Sequence, residues 1–344
     1  MLQRLLRALT LLVVLFAAFA AWAAHNSVIL TADDVVLRAG SNKHTHRLAL
    51  LRKGRHLRLL DLQPSNGYYH VKAGEKEGWV STDYAQLLNY DNVTSGNGGT
   101  TTPAAPAAVS LSTEQTAIEN AQKFPSNAAT VTINGQTCPA EGKKPDDPED
   151  LDPGTNKQKN RTDTAADHGA SYLDLHLAAI RDLPFPDALQ GESLKNRNSW
   201  TGPNASIATQ VARFEGVPVR VVGYLAKWRP EGDESCNCEY THVENHDVHL
   251  AFTADPGEGE NNAVVMEITP RIKRNKQHWA HKWLQPSEDD HRPVRISGWL
   301  MMDPKHPEAI GNYRHTLWEV HPITKIEVLD GSSWKDVEDL DNPE

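Results

Sequence analysis

Val217-Pro218-Val219-Arg220-Val221-Val222-Gly223-Tyr224-Leu225-Ala226-Lys227-Trp228 is an apolar run interrupted only by Arg220 and Lys227. Its β-branched and aromatic content fits a pleated, mostly buried strand. Further strands are expected downstream at residues 248–252 and 263–268, where Pro270 ends the third. Residues 275–284 follow, with Trp279 and Trp283 four apart on one helical face. Two more strands are expected at 294–301 and at 316–320 with 323–329, the last broken at Pro322.

That order is three strands, a helix, then two strands. It is the order of a five-stranded Greek-key barrel of the OB type. Two accessory helices are expected ahead of it. One is at 172–183, from the spacing of Leu173, Leu177 and Ile180, and the other at 206–214. The expected domain is 170–330, followed by an acidic tail at 331–344.

Residues 24–90 carry a different pattern. Short apolar segments such as Val28-Ile29-Leu30, Val35-Val36-Leu37 and Leu57-Arg58-Leu59 recur between Gly40, Gly54, Gly67 and Gly78. Strands this short with turn residues between them predict a small β-barrel. Between the barrels, residues 91–169 are rich in Gly, Thr, Asn, Pro and acid. Such a stretch buries too little apolar surface to offset its ordering entropy. It is expected to be a disordered linker, with one short helix near 112–122. The fold class is therefore all-β: two small barrels, one with accessory helices, joined by a linker.

The first 23 residues read as a cleavable signal peptide. Arg4 and Arg7 precede an apolar run to Ala21, and Ala21-Trp22-Ala23 is a small-x-small site. The run is short for spanning a bilayer. A periplasmic or secreted location is expected, with no membrane attachment after cleavage. Net charge is −10 over 344 residues, and loss of the two arginines lowers it by 2, to −12. An acidic chain repels a phosphate backbone, so nucleic acid is not an expected partner. Of the three cysteines, Cys138 can pair with Cys236 or Cys238. A bridge between the latter two would be strained.

Two resemblances add to this. Val36-Leu37-Arg38-Ala39-Gly40, Leu50 with Lys53-Gly54, and Gly78-Trp79-Val80 resemble the bacterial SH3 (SH3b) family over about sixty residues. The likeness implies a module that binds cell-wall peptide or an envelope protein, with Trp79 in the core and Gly40 at a turn. The second barrel resembles a group of bacterial exported proteins from about residue 213 to 328. The likeness lies in Val221-Val222-Gly223-Tyr224-Leu225, Asp247-Val248-His249, Glu267-Ile268-Thr269-Pro270-Arg271 and Leu317-Trp318-Glu319-Val320-His321-Pro322-Ile323-Thr324. It implies no activity.

Two constellations could carry chemistry. Cys236, Cys238, His242 and His246 are thiolate and imidazole ligands of the kind zinc takes, although Cys-x-Cys-x3-His-x3-His matches no standard finger. A polar hairpin loop is the competing account. Asp247, His249, Glu267 and Arg271 form the second set, with His321 as a further catalytic candidate. Pairing of the second and third strands would put His249 and Glu267 on one face, where a carboxylate-held imidazole can move protons. Arg271 could clamp a carboxylate or phosphate. Gly-rich phosphate loops, a nucleophile elbow and a redox Cys-x-x-Cys are absent. The expectation is a non-enzymatic binding or scaffold protein of the bacterial envelope without a cofactor. The alternative is a wall-associated hydrolase with a zinc-dependent or His/Glu-based site in the second barrel.

Overall fold

The computed structural model describes residues 26–61, 63–73, 76–89, 111–133, 135–143, 152–330 and 333–341. The expected signal peptide and residues 91–110 of the expected linker lie outside them. Two compact units divide the chain. One is Met1–Ala107 with the tripeptide Asp255–Gly257, and the other is the remainder from Ala108 to Glu344. Among the described residues no helix is long and apolar enough to cross a membrane.

The first unit is a seven-stranded antiparallel sheet. Its strands are β1 (Asn26–Leu30), β2 (Val35–Arg38), β3 (Arg47–Leu51), β4 (His56–Leu59), β5 (Tyr68–Ala73), β6 (Lys76–Ser81) and β7 (Ala85–Asn89). They pair in the order β3-β2-β6-β5-β4-β1-β7. Val28, Leu30, Leu37, Leu57, Leu59, Val71 and Val80 form the core. Gly78 lies where β6 meets β2: a Cβ there would stand 2.6 Å from the Arg38 carbonyl oxygen. The core position expected for Trp79 is not what the sheet gives. Successive side chains on a strand face opposite ways. Gly78 and Val80 face the core, so Trp79 stands outside it and stacks on His70 at 4.4 Å.

In the second unit, helix α1 (Leu111–Asn120) and hairpin β8 (Val131–Ile133) and β9 (Gln136–Cys138) come first. Helices and strands α2 (Pro153–Lys159), β10 (Leu173–His176), α3 (Leu177–Arg181) and α4 (Ala205–Val211) follow. The barrel strands are β11 (Pro218–Pro230), β12 (Val248–Thr253), β13 (Val264–Ile268), β14 (Pro293–Met302) and β15 (Trp318–Asp330). Helices α5 (Pro270–Lys273) and α6 (His281–Asp289) sit between β13 and β14, and β16 (Ser333–Asp336) comes last.

The barrel closes in the order β11-β12-β13-β15-β14 and back to β11. Only β13 and β15 run parallel within that ring. Closure depends on the length of β11, which pairs with β14 through residues 218–224 and with β12 through 224–230. Gly223 sits at this handover. A Cβ there would lie 2.6 Å from the Thr253 carbonyl oxygen, too close for any other residue without a backbone shift.

Several expectations are corrected here. Residues 111–133, 135–143 and 152–169, expected as linker, are folded into the second unit. Their order comes from polar bonding that composition does not display. Arg161 donates to Asp163, is only 1% exposed, and lies 3.4 Å over the Trp299 ring. Trp299 in turn donates its indole N–H to the Asp163 carbonyl. Asp152 caps α2 by accepting from the Thr155 N–H, and it also accepts from the Arg197 N–H. The first part of the helix expected at 172–183 is strand β10, parallel to β11. Of the helix expected at 275–284, only the last turn is helical, because α6 starts at His281. The expected acidic tail is instead β16, paired with β15, and it is followed by Val337, which is fully buried.

Candidate functional site

The strands β12, β13 and β15 alternate with period two, and the alternation sorts two kinds of residue. Val248, Leu250, Phe252, Val264, Met266, Ile268, Trp318 and Val320 enter the hydrophobic core. The positions between them point the other way. They include His249, Glu267, Glu319 and His321. His249 and Glu267 are direct register partners, and Arg229 of β11 continues the row. Such a face ordinarily meets water. Here Glu267, Glu319 and His321 are fully buried, under residues that come from elsewhere in the chain. Lys159 of α2, Asp247, Asp303 and Arg314 complete the layer, each at 3% exposure or less.

Glu267 is the centre of it. One carboxylate oxygen pairs with His249 Nε2, and the other lies 2.6 Å from His321 Nδ1. His249 Nδ1 is 2.9 Å from a Glu231 oxygen, and His321 Nδ1 is 3.5 Å from one of Glu319. Arg314 pairs with Glu319. Lys159 Nζ reaches Glu234 at 3.0 Å and Asp303 at 3.6 Å.

Burial alone would favour the neutral form of every one of these groups. For Glu267 burial is outweighed by His249, His321 and Lys159, which hold the carboxyl well below its usual range. His321 is pushed up to about 10, because Glu267 and Glu319 overcome its burial. His249 is raised well above the ordinary imidazole value, with Glu267 and Glu231 overcoming burial. Asp247 goes the other way: burial, then Glu234 and Glu267, raise it well above a normal carboxyl. Burial and the same carboxylates also raise the Cys236 thiol. An imidazole held charged between two carboxylates is a proton donor rather than a base at neutral pH.

His249 connects this layer to the outside. It is 14% exposed at the side chain and lines a cavity of about 420 Å³ with Lys227, Arg229, His306, Tyr313 and Arg314. Glu231, Glu260 and Glu308 line the same cavity, so it presents both signs of charge. Arg229 pairs with Glu260 at 2.6 Å and lies 4.8 Å over the Tyr313 ring.

The sequence candidates therefore divide. Asp247, His249, Glu267 and His321 share one layer. Arg271 does not serve it as an anion clamp. Its guanidinium donates to the carbonyls of Ala129 and Pro139, both at 2.7 Å, and to that of Cys236 at 3.2 Å. It knots the β8–β9 hairpin to the loop before β12. The zinc quartet is not assembled either. Cys238 forms a disulfide with Cys138 and has no thiolate to offer. His246 engages the carbonyls of Glu231 and Tyr240 through its two ring nitrogens, and His242 is exposed.

Among the described residues, three other groups bring ligand atoms within 4.8 Å of one another. These are Glu234, Cys236 and Asp247; Asp247, Glu267 and His321; and Glu267, Asp303 and Glu319. Lys159, Asp303 and Arg314 escaped the sequence reading. Glu319 stood within a quoted motif, where the alternation Trp318-Glu319-Val320-His321 was the available signal. Lys159 had none, since it lies in a stretch without apolar periodicity.

No family model matches the chain, and no curated relative does. Among solved structures, NlpC2 from Trichomonas vaginalis aligns at 21% identity over 19% of this chain and 25% of that one, with a TM-score of 0.17. The chain thus spans about a quarter of the length of that protein.

Proposed function

We propose that this chain is an exported two-module protein of the bacterial cell envelope. In this reading the first unit is an SH3b-type module that takes cell-wall peptide or an envelope partner. The second is an OB-type barrel that binds a small polar ligand over β11, β12 and β13. The carrying observation is the cavity of about 420 Å³ whose wall includes His249, backed by the buried Glu267. Ligand sites combine concavity with a few convergent polar groups of perturbed pKa. The closure order, with two helices between the third and fourth barrel strands, supports the OB-type reading, and OB barrels use the second and third strands for ligands.

The first unit offers a cavity of about 520 Å³ lined by Asp33, Asp34 and Asp83 on one side of the charge balance and Arg38 and Lys43 on the other. Tyr68 and Tyr84 add flat surface. Both charges together suit a peptide carrying an amine and a carboxylate. Co-sedimentation of the mature full chain with purified sacculi tests this. Pelleting that falls with Asp34→Asn and Tyr84→Ala is expected, and no pelleting by the wild type would sink the first half of the reading.

A hydrolase is the second reading, favoured by His249 as a charged proton donor at the cavity wall. Release of soluble fragments from sacculi, abolished by His249→Gln with pelleting retained, would establish it. Pelleting without release leaves binding as the function.

A further inference from the structure

We propose that Asp247, Glu267 and His321 bind one divalent transition-metal cation of the zinc or manganese class. The site would lie beneath the cover formed by α2 and the loops before β12 and β15. All three side chains are fully buried, and their ligand atoms lie within 4.8 Å of one another. Atoms sharing an ion at about 2.1 Å each stand no more than about 4.2 Å apart. Small side-chain rotations therefore suffice. One imidazole and two carboxylates make a donor set suited to zinc or manganese.

Charge singles out this trio among the three candidate groups. Asp303 is paired with Lys159, Glu319 with Arg314, and Glu234 with Lys159. Among the described residues no lysine or arginine lies within ion-pair distance of Asp247 or Glu267, although Lys159 also acts on Glu267 from farther off.

Hydrogen bonding supplies a second observation at the same three residues. An imidazolium has two N–H donors, and each needs an acceptor when buried. His321 Nδ1 faces Glu267, but its Nε2 has no hydrogen-bond partner among the described residues. Asp247 Oδ1 is likewise buried without one. A cation beside them would supply a partner for the unpaired atoms of Asp247 and His321. Glu267 would then use its second oxygen to hold His249, the outer-shell arrangement that orients a ligating carboxylate. His249 would link the ion to the cavity.

The test uses the full mature chain, purified from the periplasm without a histidine tag and stripped with a chelator. It is titrated with zinc chloride and, separately, manganese chloride, with elemental analysis for stoichiometry. One ion per chain is expected, with micromolar or tighter affinity for at least one metal. Asp247→Asn and His321→Gln should each weaken it by about 100-fold or more, at or beyond the loss typical of an outer-shell partner. His242→Ala should leave it unchanged. No uptake by the wild type at millimolar metal overturns the proposal, as does uptake that survives His321→Gln. Should those variants fail to fold, cobalt(II) loading of the wild type decides instead. Visible d–d bands without thiolate charge transfer are expected, whereas a thiolate band would assign the ion to Cys236 and overturn the site. The outcome is independent of whether the cavity ligand or the sacculus interaction exists.

Discussion

The two faces of β12, β13 and β15 are both buried, apart from His249 at the cavity, and are made of opposite materials. One carries Leu250, Phe252, Met266, Trp318 and Val320, and the other carries His249, Glu267, Glu319 and His321. The apolar face is favourable wherever it is removed from water. The polar face is favourable only while every charge keeps its partner, since desolvating an ion costs several kcal/mol.

The largest effects are expected from single truncations, on either side. Trp318→Ala is expected to destabilise the second unit by about 3–5 kcal/mol through lost burial and a cavity, read from denaturant unfolding. Lys159→Met should cost a comparable amount, about 3–5 kcal/mol, because Asp303 and Glu234 lose their cation. A cost near zero would mean that water or an ion already compensates those carboxylates.

The sharpest contrast comes from removing partners together. Glu267→Leu combined with both His249→Leu and His321→Leu should be neutral, or stabilising by about 1–4 kcal/mol, in thermal melts of the metal-free protein. Equivalent replacements on the apolar face offer no such gain. A large loss from the triple variant would show that the polar layer is structural.

Acid should act on the cover before the core. Asp163 is pulled below the ordinary carboxyl value. Its burial acts in the opposite sense, and Arg161 and His168 overcome it. Its folded-state pKa is therefore lower than its unfolded one. The stability it contributes is complete above the unfolded value of about 3.9 and is lost as pH falls through the folded value. Asp163→Asn should flatten the acid limb of the stability curve, and an unchanged limb would remove Asp163 from the account. The smallest effect is expected at the partly exposed Arg220–Asp174 pair. Arg220→Ala should cost about 0–1 kcal/mol and less at high salt.

What the sequence displayed follows the same division. The barrel strands announced themselves because apolar burial leaves a periodic trace, as in Val219, Val221 and Leu225 or Val264, Met266 and Ile268. The juxtaposition of His249 and Glu267 could be stated because hairpin register is local. The cover could not be seen. Lys159, Asn160, Arg161 and Asp163 look like solvated linker, and only the folded chain reveals that each is at most 4% exposed. Arg271 misled for a related reason, since its acceptors are backbone carbonyls that no side-chain pattern encodes. Trp79 misled because the SH3b resemblance implied a core position, while strand parity gave the inward positions to Gly78 and Val80.

Cys138 and Cys238, joined across 100 positions, turn the stretch between them into a closed covalent ring. Both α2, which roofs the polar layer, and β11, which founds the barrel, belong to that ring. One peptide bond severed anywhere between the cysteines would leave roof and foundation in a single covalent piece. Such a nicked molecule would migrate intact until a reductant split it in two.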